Sequence, residues 1–432
     1  MKNLILLIFV SGMISCAGPS KKDIGEAPVE PYQISFDLEN LSDNGAPMMS
    51  DVIDSLEYIK LEYNPELPIG SILEDKLPYI TNDYIFIYGS HGAGLLQYKR
   101  NGEFVRKIGS YGRGPGEYLQ LRDFVIDEKQ GIIYTIPNWK TVIGKYDYFN
   151  GKYLEEIPIV DLNGKQISKY SNNITYIYAF SDSEILVNPS GVRRAKDSKY
   201  DVFYTIDLTS GHIINHKESK IYGLDNLEID VKGSPVLASI PNIVWYDSQG
   251  RLNFWESLND TVFVVNSDFS TTPRIIVDFG SYKLDAKTAV AVRASKDLVN
   301  ISLLLSRFCE SSRYLFFQFA FKERYISSAY DKTTGNQYLL GSMSNEEFKT
   351  NNLFMGIYND IDGGLSYMWQ YDKNMWFTSY NAFEMINKLT PEHFEEVKSK
   401  VKYPERLDKL KEFVSGLDEG DNPVFVIAHL KQ

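Results

Sequence analysis

Residues 112–117 (GRGPGE) have the composition of a ligand-binding loop. Three glycines let the backbone pass close to a bound molecule, and Arg113 and Glu117 could form charge-assisted hydrogen bonds with it. The segment is not a dinucleotide-binding loop, because no helix is predicted after it. Gly-Pro-Gly is also common turn chemistry, and we favour a structural role in which Arg113 pairs with a neighbouring carboxylate.

Asp360 and Asp362 have the spacing of the first ligands of a calcium loop and are followed by Gly363. The third ligand position and the distal Glu of an EF-hand are missing. A tight turn is therefore the favoured interpretation, and Ca²⁺ binding is the alternative. No other cofactor is expected.

Three further residues are candidates for ligand contact. Asp123 and Glu310 fall near the predicted innermost strands, and Trp139 follows Pro137-Asn138 in a turn where its ring could stack on a sugar. An enzyme such as a metal-dependent lactonase or hydrolase would need several acidic side chains to converge on one metal-sized gap. The sequence leaves that convergence open, so binding is favoured over catalysis.

The N-terminus predicts export and a lipid anchor. A basic start, a short apolar run and small residues before Cys16 resemble the signal peptide and lipobox of bacterial lipoproteins. The domains then follow as a signal peptide at 1–15, a lipidated Cys16 with a polar tether at 16–33, and a globular unit at 34–432. The alternative is an ordinary cleavable signal in which Cys16 has no lipid. The apolar run is too short to span a bilayer.

The composition excludes some functions. The formal net charge is −12 and no basic cluster occurs, so nucleic acid is not an expected partner. Only two cysteines are present, and lipidation of Cys16 would leave Cys309 without a disulfide partner.

The elements that must position these residues are short strands joined by repeated turns. Five turns recur in one set, three of them with Asp four residues before Gly, and each is flanked by strand-like sequence. Their positions are Asp147/Gly151, Asp207/Gly211, Asp331/Gly335, a degenerate Asn266/Ser270 and a shortened turn at 98–102. A second set of six turns precedes them at 82–83, 127–131, 181–183, 247–250, 310–312 and 372–374. Two hairpins per unit and six units predict an all-β, six-bladed β-propeller, which the even repeat favours over a pair of β-sandwiches.

The last unit departs from this pattern. A helical insert is predicted at about 381–417, after which the chain returns to strand. Residues 56–62 form an alternating strand without a local partner. We expect this strand to pair with residues 424–430, which would close the ring and remove a free sheet edge.

Several segments also resemble a known family. The segments at 54–62, 112–118, 359–364 and 422–424 resemble signatures of six-bladed β-propeller lipoproteins (NHL-like) common in Bacteroidota. The resemblance covers roughly residues 34–430 and implies the fold, but it implies no chemistry, because that family has no generally assigned activity. We therefore expect a lipid-anchored module of the cell envelope, in the outer membrane, that binds a glycan, a peptide or an envelope protein. A channel-site enzyme is the alternative.

Overall fold

The structure is a computed structural model. It describes residues 31–37, 40–69, 78–89, 92–138, 140–167, 174–189, 201–218, 228–231, 234–237, 242–256, 259–278, 280–283, 304–321, 324–344, 357–365, 369–370 and 374–431. The first elements are β1 (Tyr32–Ser35), α1 (Met49–Val52) and β2 (Ile53–Lys60). Strand β1 begins inside the segment that the sequence assigned to the tether.

Six four-stranded antiparallel units follow one another along the chain, which confirms the six-bladed propeller. Blade 1 contains β3 (Tyr79–Ile80), β4 (Tyr84–Gly89), β5 (Gly94–Lys99) and β6 (Phe104–Ile108). After the short strands β7 (Ser110–Tyr111) and β8 (Glu117–Tyr118), blade 2 contains β9 (Leu121–Asp127), β10 (Ile132–Pro137), β11 (Val142–Asp147) and β12 (Tyr153–Pro158). Blade 3 contains β13 (Ile174–Ser181), β14 (Glu184–Pro189), β15 (Asp201–Asp207) and β16 (Ile213–Glu218).

The second half adds local variations to the same plan. A separate hairpin of β17 (Glu228–Val231) and β18 (Ser234–Leu237) precedes blade 4, whose strands are β19 (Asn242–Tyr246), β20 (Leu252–Glu256), β21 (Thr261–Val265) and β22 (Thr271–Asp278). Strand β1 adds to the outer edge of blade 4, parallel to β22. After a 3₁₀ turn (Gly280–Tyr282), blade 5 contains β23 (Leu304–Glu310), β24 (Tyr314–Phe321), β25 (Arg324–Asp331) and β26 (Gln337–Ser344).

Blade 6 is assembled from both ends of the chain. Its strands are β27 (Trp369–Gln370), β28 (Met375–Tyr380), β29 (Val424–Leu430) and the N-terminal β2, in that order. Between β28 and β29 lie α2 (Ala382–Lys388), α3 (Pro391–Val397) and α4 (Pro404–Ser415), as the sequence predicted. The predicted closure is confirmed, since β2 pairs with β29 in an antiparallel register that sets Leu56 opposite Ala428. No helix in the described part of the chain is both long and apolar enough to cross a membrane.

The repeated turns form as their residue types dictate. In the turn after β11, one carboxylate oxygen of Asp147 accepts the backbone N–H groups of Phe149 and Asn150 at 2.8 and 2.9 Å. Gly151 closes this turn with a φ of +71°, which favours glycine. Asp207 and Asp331 accept backbone N–H groups in the same way in blades 3 and 5.

The degenerate turn of blade 4 is one residue shorter than the sequence pattern suggests. The N–H of Phe269 donates to the carbonyl of Asn266, just as Gly102 donates to Lys99 in blade 1. Phe269 therefore occupies the left-handed position, with φ of +66°. Its ring packs against Phe203 of blade 3 at a centroid distance of 5.3 Å, which offsets the backbone strain.

Apolar packing between blades holds the ring rigid. The buried apolar side chains of the described residues form six clusters, and each cluster joins two successive blades. The cluster between blades 5 and 6 also includes the inner faces of α2, α3 and α4. These packed clusters therefore support the innermost strand of each blade, so the side chains that it presents to the centre are preorganised.

Candidate functional site

A cavity of about 280 Å³ lies where the first strands of blades 1 to 4 meet. Its wall comes from β3, β9, β13 and β19, which are distant in sequence but adjacent around the propeller axis. We call it the channel cavity, and the lining residues used below are Tyr79, Asp123, Glu128, Tyr178, Ala179 and Tyr246.

Tyrosine rings form much of this wall. The rings of Tyr178 and Tyr246 meet edge to face at 6.4 Å, and the Tyr246 hydroxyl donates to the Ala179 carbonyl at 2.9 Å. Burial, followed by the charge of Asp123, raises the pKa of Tyr178 well above its ordinary value. Burial, followed by Tyr79, raises the pKa of Tyr246 as well. Both hydroxyls are therefore neutral at physiological pH, and the rings offer uncharged aromatic surfaces.

Asp123 is the buried carboxylate of the cavity wall, with 7% of its surface exposed. Its Oδ2 accepts the N–H of Ile177 at 2.7 Å and its Oδ1 accepts the N–H of Phe124 at 2.9 Å. The carboxylate thus joins β9 to β13 across the boundary between blades 2 and 3. At the cavity wall Asp123 and Glu128 are the charged side chains among the described lining residues.

A second cavity of about 340 Å³ adjoins the first, sharing Tyr79, Val125, Glu128 and Ala179 with it. We call it the acidic groove. Its described charged residues are Asp127, Glu128, Lys129, Asp182 and Glu184.

Among the described residues that line the acidic groove, four carboxylates face one ammonium. The Lys129 ammonium pairs with Asp182 at 2.6 Å. Burial, followed by the charge of Asp83, raises the pKa of Glu128. The Oε2 atom of Glu184 is buried and accepts no hydrogen bond. The groove therefore retains acceptor capacity and a negative potential.

The 112–117 loop lies outside the channel cavity. The Glu117 carboxylate turns back on its own loop, where Oε2 accepts the N–H of Gly114 at 2.8 Å and packs against Gly112. Arg113 is exposed and makes no ion pair with a described residue. Lys140 fastens the loop instead, since its Nζ donates to the Gly114 carbonyl at 2.7 Å. Ligand binding by Arg113 and Glu117 stays a prediction.

Glu310 is fully buried in an ionic network between blades 4 and 5. The Arg274 guanidinium forms a bidentate pair with Glu310, and Lys332 Nζ donates to the same carboxylate at 2.9 Å. Burial opposes the charge of Arg274, yet attraction to Glu310 raises its pKa overall. The nearby Asp247 carboxylate lies 3.5 Å from Arg274 Nε. Glu310 thus holds two blades together in this structure.

The two carboxylates of the calcium-loop motif have separate partners. Asp360 accepts the N–H and the hydroxyl of Ser50 at 2.8 and 2.6 Å. Asp362 accepts the Tyr58 hydroxyl at 3.0 Å and the Asn359 amide at 2.8 Å, and burial raises its pKa. The motif forms a turn beside the helical insert, and Ca²⁺ binding there remains a prediction.

The candidate residues from the sequence do not gather at one place. Asp123 lies between blades 2 and 3, Glu310 between blades 4 and 5, and Asp362 beside blade 6, while Trp139 is outside the described residues. Within the described ranges, no three His, Cys, Asp or Glu side chains are arranged to hold a metal ion. Sequence analysis missed the tyrosines and Glu184. An aromatic residue in the first strand of successive units could have indicated the tyrosines, whereas nothing in the sequence pattern indicated Glu184.

Comparison with solved structures supports the fold. A protein of Bacteroides fragilis NCTC 9343 (BF0058), named as a candidate exported protein, is similar at a TM-score of 0.59 and 15% identity, covering 93% of this chain and 99% of that chain. A member of the DUF4221 family from Bacteroides vulgatus ATCC 8482 follows at 0.48 and 11%, covering 88% and 97%. Virginiamycin B lyase of Staphylococcus aureus reaches only 0.33 at 12% identity, over 67% and 74%. The last two scores are too low to carry an argument.

Sequence comparison identifies the family. No curated protein matches this chain. Residues 32–429, nearly the whole propeller, match the family described as "Domain of unknown function (DUF4934)". This confirms the resemblance drawn from the sequence to a Bacteroidota propeller family of unknown activity. The chain therefore belongs to the DUF4934 family.

Proposed function

We propose that this protein is a lipid-anchored binding module of the cell envelope that takes up a glycan, a peptide or part of a partner protein in its channel cavity. The observation that carries the proposal is a cavity of about 280 Å³ walled by tyrosine rings and one buried carboxylate. Such a mixture of aromatic surface and few polar groups is typical of ligand sites. The packing behind each first strand keeps the site preformed.

The acidic residues favour binding over the enzyme alternative. A lactonase or hydrolase site would require the candidates Asp123, Glu310 and Asp362 to converge on one metal-sized gap, and among the described residues no three His, Cys, Asp or Glu side chains are arranged in that way. In the structure, these three carboxylates lie at three separate boundaries and each accepts hydrogen bonds from its own neighbours. The cavity instead offers surfaces suited to recognition.

Anchoring through Cys16 is part of the same proposal. The support is the lipobox-like sequence before Cys16, which lies outside the described residues, together with the expected export of the similar Bacteroides fragilis protein. Replacing Cys16 with Ala should move the protein from the outer-membrane fraction to the soluble fraction. Retention of Cys16→Ala in the membrane fraction at high salt would refute the lipid anchor.

The channel site is tested by filling it. Ala179 is exposed and lines both cavities, and its hydrogen bond with Tyr246 involves the backbone carbonyl and not the side chain. Ala179→Trp should therefore fill the channel cavity without removing a packed side chain. The matched control is Thr209→Trp on an exposed outer turn. Both variants, made in the Cys16→Ala background, are applied to glycan and peptide arrays.

Loss of the array ligand in Ala179→Trp, with retention in Thr209→Trp, is the expected result. Thermal stability equal to that of the parent in both variants shows that the fold is intact. If Ala179→Trp binds as well as its parent, the ligand site lies elsewhere on the propeller.

A further inference from the structure

We propose that the group recognised in the channel is a primary ammonium, carried by a lysine side chain of a peptide or by a free polyamine. This inference rests on the proposed function, because it names the chemistry of the ligand for the same cavity. It follows from the charges, the aromatic surfaces and the unused acceptors around the channel cavity and the acidic groove.

The charged side chains that line the channel cavity and the acidic groove are mostly negative. Among the described lining residues, the two cavities carry five carboxylates and one ammonium, and that ammonium is already paired with Asp182. These carboxylates belong to Asp123, Asp127, Glu128, Asp182 and Glu184. A concave surface with one sign of charge concentrates ligands of the opposite sign and repels anionic ones.

The aromatic surfaces suit the same group. Tyr79, Tyr178 and Tyr246 line the channel cavity. Ammonium groups are attracted to the faces of aromatic rings by the ring quadrupole, and neighbouring carboxylates strengthen this attraction. A neutral sugar would use the ring faces but would leave the carboxylate charges uncompensated.

Unused acceptors supply the hydrogen bonds. The buried Glu184 Oε2 accepts no hydrogen bond in this structure, and Glu128 lines both cavities and forms no ion pair with any side chain in the described part of the chain. An ammonium has three N–H donors on one compact charge, so it suits a wall that offers several carboxylate acceptors. Burial and Asp83 raise the pKa of Glu128, which agrees with a site that lacks its cation.

The experiment compares probes with and without a primary ammonium. Isothermal titration is performed on Cys16→Ala protein with trilysine, trialanine and triglutamate peptides, each N-acetylated and C-amidated so that no terminal ammonium is present, and with spermidine. We expect trilysine or spermidine to bind at least tenfold more tightly than trialanine, and triglutamate to show no binding. Comparison of trilysine with spermidine distinguishes a peptide lysine from a free polyamine.

Variants locate the binding. Glu128→Gln combined with Glu184→Gln should weaken the cationic probe at least tenfold, whereas Glu419→Gln removes the same charge from an exposed site and should leave affinity unchanged. Ala179→Trp should abolish binding, which separates channel binding from general attraction to an acidic protein.

Each contrary outcome has one meaning. If the cationic probes bind no more tightly than trialanine, the ammonium inference is overturned. If a neutral array ligand is lost in Ala179→Trp but unaffected by the Gln pair, the proposed function stands and the ammonium inference falls. If cationic binding persists in Ala179→Trp, the channel is not the ammonium site and the ammonium inference falls, whereas the proposed function is decided by the array ligand of the same variant.

Discussion

Glu310→Gln should destabilise the propeller strongly, because it removes one charge from a buried ionic network. Glu310 is fully buried, and the side chains of its partners Arg274 and Lys332 are each only 8% exposed. Gln has nearly the same shape as Glu, so the substitution creates no cavity. It leaves two buried cations facing a neutral amide, with Asp247 as the remaining carboxylate near Arg274.

The magnitude follows from burial. Breaking a buried ion pair by removing one partner costs about 3–5 kcal/mol, since the other charge stays desolvated without compensation. An unfolding entropy of about 2 cal/mol/K per residue converts this to a decrease in melting temperature of about 3–6 °C for a chain of this length. The same charge removed from Glu155, which is 59% exposed and pairs with Lys145, should cost less than about 1 kcal/mol.

Urea unfolding followed by circular dichroism measures both variants. Glu310→Gln should unfold at a clearly lower urea concentration, and Glu155→Gln should match the parent. If the two variants lose the same stability, Glu310 does not join blades 4 and 5 in the way that its contacts indicate. The triple variant Glu310→Leu with Arg274→Met and Lys332→Met should recover part of the loss, because it removes both buried cations together with the carboxylate, while Asp247 keeps its pair with Arg251.

Three further outcomes are expected. Gly102 and Gly92 share a φ of +87°, but a Cβ on Gly102 would lie 2.1 Å from a β2 carbonyl oxygen whereas Gly92 faces open space. In urea unfolding, Gly92→Ala should therefore lower the free energy of unfolding by about 1 kcal/mol, and Gly102→Ala should lower it by at least about 2 kcal/mol more. Equal decreases for the two variants would contradict the packing of β2 on the turn that contains Gly102. Burial raises the pKa of Asp362 in the folded protein above 3.8, so the folded state favours the protonated carboxyl group. The free energy of unfolding, measured relative to Asp362→Asn, should therefore fall as pH rises from 3.8 through the folded pKa. A difference in the free energy of unfolding that is independent of pH would refute this. Glu117→Ala should lower the free energy of unfolding by about 1 kcal/mol, because the Gly114 N–H loses its acceptor. Arg113→Ala should change the free energy of unfolding by no more than about 0.5 kcal/mol. The reverse order would mean that Arg113, and not Glu117, stabilises the loop.

Much of the fold could be predicted from the sequence because its determinants are local. Turn residues such as Asp147 and Gly151 act within five positions of each other, and alternating strands beside them have a period of two wherever they lie. The pairing of β2 with β29 could be predicted although the strands are distant, because each lacked a local partner and a propeller leaves one open edge. The blade 4 turn shows the limit, since Phe269 takes a left-handed position that packing against Phe203 stabilises.

The candidate site depended on tertiary structure. Glu310 was predicted as a ligand contact, but its bidentate pair with Arg274 joins residues 36 positions apart on different blades. The channel cavity combines Tyr79, Tyr178 and Tyr246, whose proximity depends on how consecutive blades are arranged around the axis. Sequence by itself determined the strands and the turns, because these rest on local geometry and hydrophobic period, and it determined the closure because two strands had no local partner. Only the tertiary structure decided which side chains meet at the centre, because that depends on blade order and on which face of each first strand points inward.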